Sequence, residues 1–200
     1  MKVFFHGYIK SPPNYYDFYR KIYQHIEELG YEHTLDIMIK IDPEKYLPLL
    51  EKGGREKRVD LYNSYLKAIK LADIVVLEVS MHSLSSGFLM HEALNDAKPV
   101  IGLYHEGHDP YFTLNMNNEK LHIVEYNLSN LKEQLRQSLE QAKKYIDVRF
   151  NFFITPEIIT YLNWISTVKR MSKSTYIRDL ILNDLKKNKE YRKVHKALLK

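Results

Sequence analysis

The chain has no cysteine in its 200 residues. That excludes disulfides, iron–sulfur clusters and thiol catalysis, and it fits a reducing cytoplasm. No apolar run approaches the roughly 20 residues of a membrane span, so no membrane partner is expected. The opening Met1-Lys-Val-Phe-Phe-His-Gly7 lacks the long apolar region and small-residue cleavage site of a secretory signal, and it reads as a first β-strand. Neither a Walker-type phosphate loop nor a Ser-His-Asp signature occurs. His82, His91, His105 and His108 fall near one predicted rim, but His105-Glu-Gly-His108 lacks the i,i+4 spacing of a helical zinc site. No metal and no other cofactor is expected.

What is present is an ordinary globular composition, 44% hydrophobic and 28% charged, enough for one mid-sized domain and a small appendage. The net charge of +5 is unevenly split. From Lys143 onward there are 14 basic and 5 acidic residues, net +9, against −4 for the remainder. A basic tail on a mildly acidic body suits a tail that meets a polyanion, although a solvated lysine-rich helix has the same composition.

Residues 1–142 alternate strand and helix. Short apolar strands are expected at 3–6, within 31–38, and at 73–79, 99–104 and 121–126. Helices are expected at 14–29, 59–71, 87–97 and 129–145, with Gly30 as a stop and a polar glycine-marked loop at 52–58. This pattern predicts an α/β domain with a parallel sheet covered on both faces. Ligands of such sheets sit beyond the C-terminal strand ends, here Gly7-Tyr8, residues 80–87 and residues 104–110.

Val3-Phe-Phe-His-Gly7, Ala72-Asp-Ile-Val-Val-Leu-Glu-Val79, Ser83-Leu-Ser-Ser-Gly87 and Lys98-Pro99-Val-Ile101 occur in order. As an ordered set they resemble the nucleoside 2-deoxyribosyltransferase family over residues 2–140, nearest to the branch that hydrolyses 2′-deoxynucleoside 5′-monophosphates. The resemblance implies a flavodoxin-like doubly wound sheet, a dimer and a pocket for a deoxyribose 5-phosphate unit. It assigns nucleotide or sugar-phosphate binding to Gly7, Tyr8, Ser83, Ser86 and Gly87, with Ser83 on the phosphate. The family's two catalytic acids, however, align with Leu89 and Tyr65. A leucine can neither attack a sugar carbon nor stabilise an oxocarbenium-like transition state. Glu92 lies one helical turn beyond Leu89, about 4.5 Å deeper, and is the one candidate replacement.

The last quarter carries Arg149-Phe-Asn-Phe-Phe-Ile154, then Thr155-Pro156-Glu157, and later Ser172-Lys-Ser174. Alternation reads the first as a lone strand. Thr155 and Ser172 then cap two helices, with buried stripes at Ile158, Leu162, Ile165 and Val168 and at Ile177, Leu180, Ile181 and Leu185. A lone strand needs a partner, most simply its own copy. The pattern at 147–190, followed by a basic tail at 191–200, resembles the ribbon-helix-helix fold. That resemblance implies a homodimer through the Phe150, Phe152 and Ile154 ribbon. It also implies DNA contacts by Arg149, Asn151 and Phe153, and by the phosphate-clamping turn Ser172, Lys173 and Ser174. Together these observations lead to the expectation of a cytoplasmic DNA-binding dimer, a repressor or an antitoxin-like regulator with a partner protein, whose degenerate body binds a nucleotide. The alternative is a deoxyribosyltransferase or deoxynucleotide N-glycosidase that uses Glu92 and keeps its tail for assembly.

Overall fold

The computed structural model describes residues 1–37, 43–146 and 152–194. The chain divides into two compact units, Met1–Val148 and Arg149–Lys200. No helix among the described residues is long and apolar enough to cross a membrane.

In the first unit, β1 (Lys2–His6), β2 (Glu32–His33), β3 (Ile74–Glu78), β4 (Val100–His105) and β5 (Leu121–Tyr126) form one sheet in the order β2-β1-β3-β4-β5. Every pairing is parallel, with Phe5 opposite Val76 and Ile101 opposite Val76 from the other side. This is the flavodoxin-like order, and its switch point lies between β1 and β3. Successive side chains on a strand face opposite ways. Ile74 and Val76 therefore pack with Tyr19, Ile22 and Leu135, which come from α1 (Pro13–Glu28) and a later helix, Leu131–Lys143. Val75 and Leu77 pack on the other face with Tyr65, Ile69 and Leu89. Both faces of the central strand are closed, which is why it reads as a continuous apolar run.

Two expectations change here. The strand expected within 31–38 has only two residues, and residue 38 lies outside the described residues. The glycine-marked loop at 52–58 is a break at Gly53 between α2 (Pro43–Lys52) and α3 (Gly54–Leu71). Arg55, Lys57 and Arg58 are good helix formers, the Arg58 Nε donates to the Gly54 carbonyl at 3.0 Å, and Gly54 at φ +65° supplies the left-handed turn. The next helices are α4 (Leu84–Asn95) and α5 (Leu131–Lys143).

The second unit contains α6 (Pro156–Lys169), α7 (Lys173–Lys187) and a short α8 (Lys189–Val194). Both expected caps form: the Thr155 hydroxyl accepts from the Ile158 N–H at 3.4 Å, and the Ser172 hydroxyl accepts from the Thr175 N–H at 3.1 Å. Among its described residues, only Leu162, Ile165 and Tyr176 build a buried cluster. Ile158, Val168, Leu180 and Ile181, expected in buried stripes, are exposed. A single pair of helices can bury only the face that each turns to the other. Of the expected ribbon, Arg149, Phe150 and Asn151 lie outside the described residues, and Phe152, Phe153 and Ile154 are in no regular structure. A lone chain offers this segment no second copy to pair with.

Candidate active site

The C-terminal ends of β3 and β4 carry the candidate site. After β3 the chain turns at Ser80 and enters α4, whose N-cap is Ser83. The Ser83 hydroxyl accepts from the Ser86 N–H at 3.2 Å and lies 2.9 Å from the Ser85 hydroxyl. Helix N-termini present unsatisfied N–H groups and positive dipole ends, so this turn suits an anion. It opens on a cavity of about 510 Å³ whose wall includes Val79, Ser83, Gly87, Tyr111 and Phe112. A Cβ at Gly87 would meet no atom within 4 Å, so its bare backbone faces open space. Ser86 also lines the cavity, buried and with no hydrogen-bond partner for its hydroxyl.

The first loop is built differently. A Cβ at Gly7 would come within 2.8 Å of the Tyr19 ring, so it is α1 that requires this glycine. Tyr8 is half-buried and starts a turn in which its carbonyl accepts from the Ser11 N–H at 3.1 Å. Neither Gly7 nor Tyr8 is among the residues lining the cavity.

Leu89 and Tyr65 pack in one apolar cluster, 3% and 7% exposed. The Tyr65 hydroxyl has no partner, and its ring meets the His6 imidazole edge-on at 5.0 Å. Burial holds His6 down to about 4, so it is neutral at physiological pH. Glu92 is half-buried on α4 and is not among the cavity-lining residues. Among the described residues no group of three or more metal-ligating side chains converges.

Sequence reasoning missed the most unusual carboxylate. Glu78 ends β3 on the face opposite Leu77 and is wholly buried. Its Oε1 accepts from the Ser80 hydroxyl and from the Tyr126 hydroxyl, the latter at 3.2 Å, while Oε2 has no partner. Burial pushes it up to about 7, opposed by those hydrogen bonds and by His108. The signal was a single charge inside the apolar run Ile74-Val-Val-Leu-Glu-Val79.

No family model matches the chain. Over 147 residues, 71% of this chain and 96% of the relative, it is 28% identical to a protein of Syntrophotalea carbinolica provisionally named 2′-deoxynucleoside 5′-phosphate N-hydrolase 1. That relative is named as an enzyme. Among solved structures, the Clostridium botulinum CMP N-glycosidase BcmB matches at a TM-score of 0.45 and 16% identity, over 70% of this chain and 98% of that one.

The relative corrects the functional expectation drawn from the tail. A protein named for hydrolysis matches the α/β body along nearly its whole length, which points to an enzyme and away from a DNA-binding regulator of transcription. The tail residues add no support for the regulator. Arg149 and Asn151 lie outside the described residues, and Phe153 is fully exposed in irregular chain. The Ser172 hydroxyl is engaged with the Thr175 N–H and with the hydroxyls of Ser174 and Thr175, beside Lys173.

Proposed function

We propose that this protein is an enzyme of the nucleoside 2-deoxyribosyltransferase-like class that breaks the N-glycosidic bond of a 2′-deoxynucleoside 5′-monophosphate. The observation that carries this reading is the Ser83-capped start of α4 opening, past the bare backbone of Gly87, on the 510 Å³ cavity. A 5′-phosphate on those N–H groups would set the sugar above the first turns of α4. The match to the Syntrophotalea relative supports the same chemistry.

The reaction calls for a carboxylate at the anomeric carbon. As the C–N bond breaks, the base leaves with the bonding electrons and takes up a proton, and water completes the hydrolysis. Leu89 cannot act there; Glu92, one turn further along the same helix, is the carboxylate to test, although it stands outside the cavity's lining. A displacement of even 1 Å in a reacting group can cost about 100-fold, so turnover is expected to be slow. The expected result with a panel of 2′-deoxynucleoside 5′-monophosphates is slow base release, followed by chromatography, that falls at least tenfold in Glu92→Gln. Release from no member of the panel overturns the reading. Release that survives Glu92→Gln removes Glu92 from it.

The second unit serves assembly in this reading, as a ribbon-helix-helix module that dimerises through residues 150–154. Its small cluster of Leu162, Ile165 and Tyr176, beside exposed Ile158, Trp164, Val168 and Ile181, supports that assignment. Sedimentation is expected to show a dimer for the intact protein and a shift to monomer for Phe152→Asp. A monomeric intact protein removes the assembly role.

A further inference from the structure

We infer that Glu78 is a positioning residue for this site, a buried carboxylate that ties together the two loops walling the cavity. The inference rests on the proposed cleavage reading for its kinetic part only. The tie itself is visible in the hydrogen bonds. The Ser80 hydroxyl donates to Glu78 Oε1 and in turn accepts the His105 N–H at 2.7 Å. The Tyr126 hydroxyl, from the end of β5, donates to the same oxygen. One side chain therefore fixes the ends of three adjacent strands. The chain leaving β3 through Ser80 supplies Val79, Ser83 and Gly87 to the cavity, and the chain leaving β4 through His105 supplies Tyr111 and Phe112.

The surroundings fit a load on that oxygen. Tyr15 and Tyr19 face Glu78 from α1 and Tyr126 faces it from β5, and burial, then the charge of Glu78, pushes all three phenols upward. The hydrogen bonds from Ser80 and Tyr126 favour the ionised carboxylate, and His108, from the loop after β4, adds a smaller pull in the same direction. His105 lies edge-on to Tyr126 at 5.5 Å and approaches His108 at 5.8 Å. Burial keeps the proton on Glu78 far longer than on an exposed carboxylate, against the pull of the hydrogen bonds from Ser80 and Tyr126 and of His108. The hydrogen bonds do not need the charge, because a neutral oxygen at the same place still accepts from Ser80 and Tyr126. The carboxyl geometry is what ties the loops, and the proton adjusts how tightly.

That separation makes the inference testable in the intact protein with Glu78→Leu, Glu78→Gln and Ser80→Ala. Backbone hydrogen exchange reads the tie directly. Glu78→Leu is expected to speed exchange at residues 80–87 and 105–113 by about tenfold or more, the loss of a buried hydrogen-bonded anchor. Glu78→Gln keeps one acceptor oxygen and should restore most of that protection. Ser80→Ala should speed exchange at the His105 amide while residues 121–126 stay protected, and it serves if the leucine variant does not fold. With 2′-deoxynucleoside 5′-monophosphates, Glu78→Leu should raise KM about tenfold with kcat within threefold, and Glu78→Gln should remove the inflection near pH 7. Unchanged exchange in both loops of Glu78→Leu, or of the His105 amide in Ser80→Ala, overturns the tie whether or not any substrate turns over. A kcat abolished at unchanged KM overturns it too, since Glu78 would then be a reacting group. If no substrate turns over, the exchange data alone decide.

Discussion

The two units of this chain solve burial in opposite ways. The Met1–Val148 unit closes both faces of its sheet with its own helices, and Phe4, Phe5, Tyr19, Ile101 and Tyr126 are wholly inside. The Arg149–Lys200 unit has the same kind of residues but hides few of them. Trp164, Val168, Leu180 and Ile181 stay on the surface. The difference lies in topology rather than composition. A doubly wound sheet sends the helices between its strands to both of its faces, whereas two helices cover only the sides they turn to each other. Chemistry can be set on the first kind of unit in isolation. The second kind keeps much of its apolar surface exposed.

The comparison breaks first where packing is densest. Tyr19→Ala should cost about 3–5 kcal/mol in denaturant unfolding, independent of protein concentration, because the ring fills the first unit's own core. Ile165→Ala in the second unit should cost less at low concentration. Its effect should grow as the protein is concentrated, if the tail folds in a dimer. A concentration-independent cost at Ile165 would show that the second unit stands alone.

A smaller effect separates two buried groups within the first unit. Glu78 is raised from 4.5 to about 7, so the folded state holds a proton that the unfolded chain has released. Its contribution is full below its ordinary value and is lost as pH rises toward 7, on the order of 3 kcal/mol in all. His6 has the opposite sign. Its value falls from 6.5 to about 4, so its contribution is present above 6.5 and is lost as pH falls through 4. Thermal melts from pH 4 to 8 should therefore show Glu78→Gln losing its decline above pH 5, and His6→Gln losing its decline on the acid side. If Glu78→Gln melts with the wild-type pH dependence, the buried carboxylate is not the group that titrates.

The smallest contrast is between caps. Ser83→Ala and Ser172→Ala should each cost about 1 kcal/mol, the usual value of an N-cap hydroxyl. Only Ser83→Ala should also weaken binding of deoxyribose 5-phosphate, measured by calorimetry. Equal binding by both variants would detach Ser83 from the anion.

Much of this could be read from residue order. The run at 73–79 announced a central strand, and Gly30, Thr155 and Ser172 marked helix ends, because each signal is local. Ser83 was reached only through the family resemblance; residue order started this helix at 87, three residues late, and so gave no cap at Ser83. What escaped was long-range or contrary to propensity. Gly53-Gly54 suggested a loop, yet the residues after them favour helix and left only a break. Glu78 went unremarked inside a strand read as apolar, since its partner Tyr126 is 48 residues away. Leu89 and Tyr65 were placed by alignment, but the unpartnered imidazole of His6 beside Tyr65 belongs to β1, 59 residues earlier in the chain, and needed the fold to reveal it.

The close fit of the Tyr19 ring against the bare Cα of Gly7 also limits how this protein can diversify. Any side chain at position 7 would drive α1 outward, so the loop after β1 cannot be retuned there without rebuilding the helix behind it. Changes in the cavity's lining, whether selected in the laboratory or by descent, have a freer path through Tyr111 and Phe112, which are exposed.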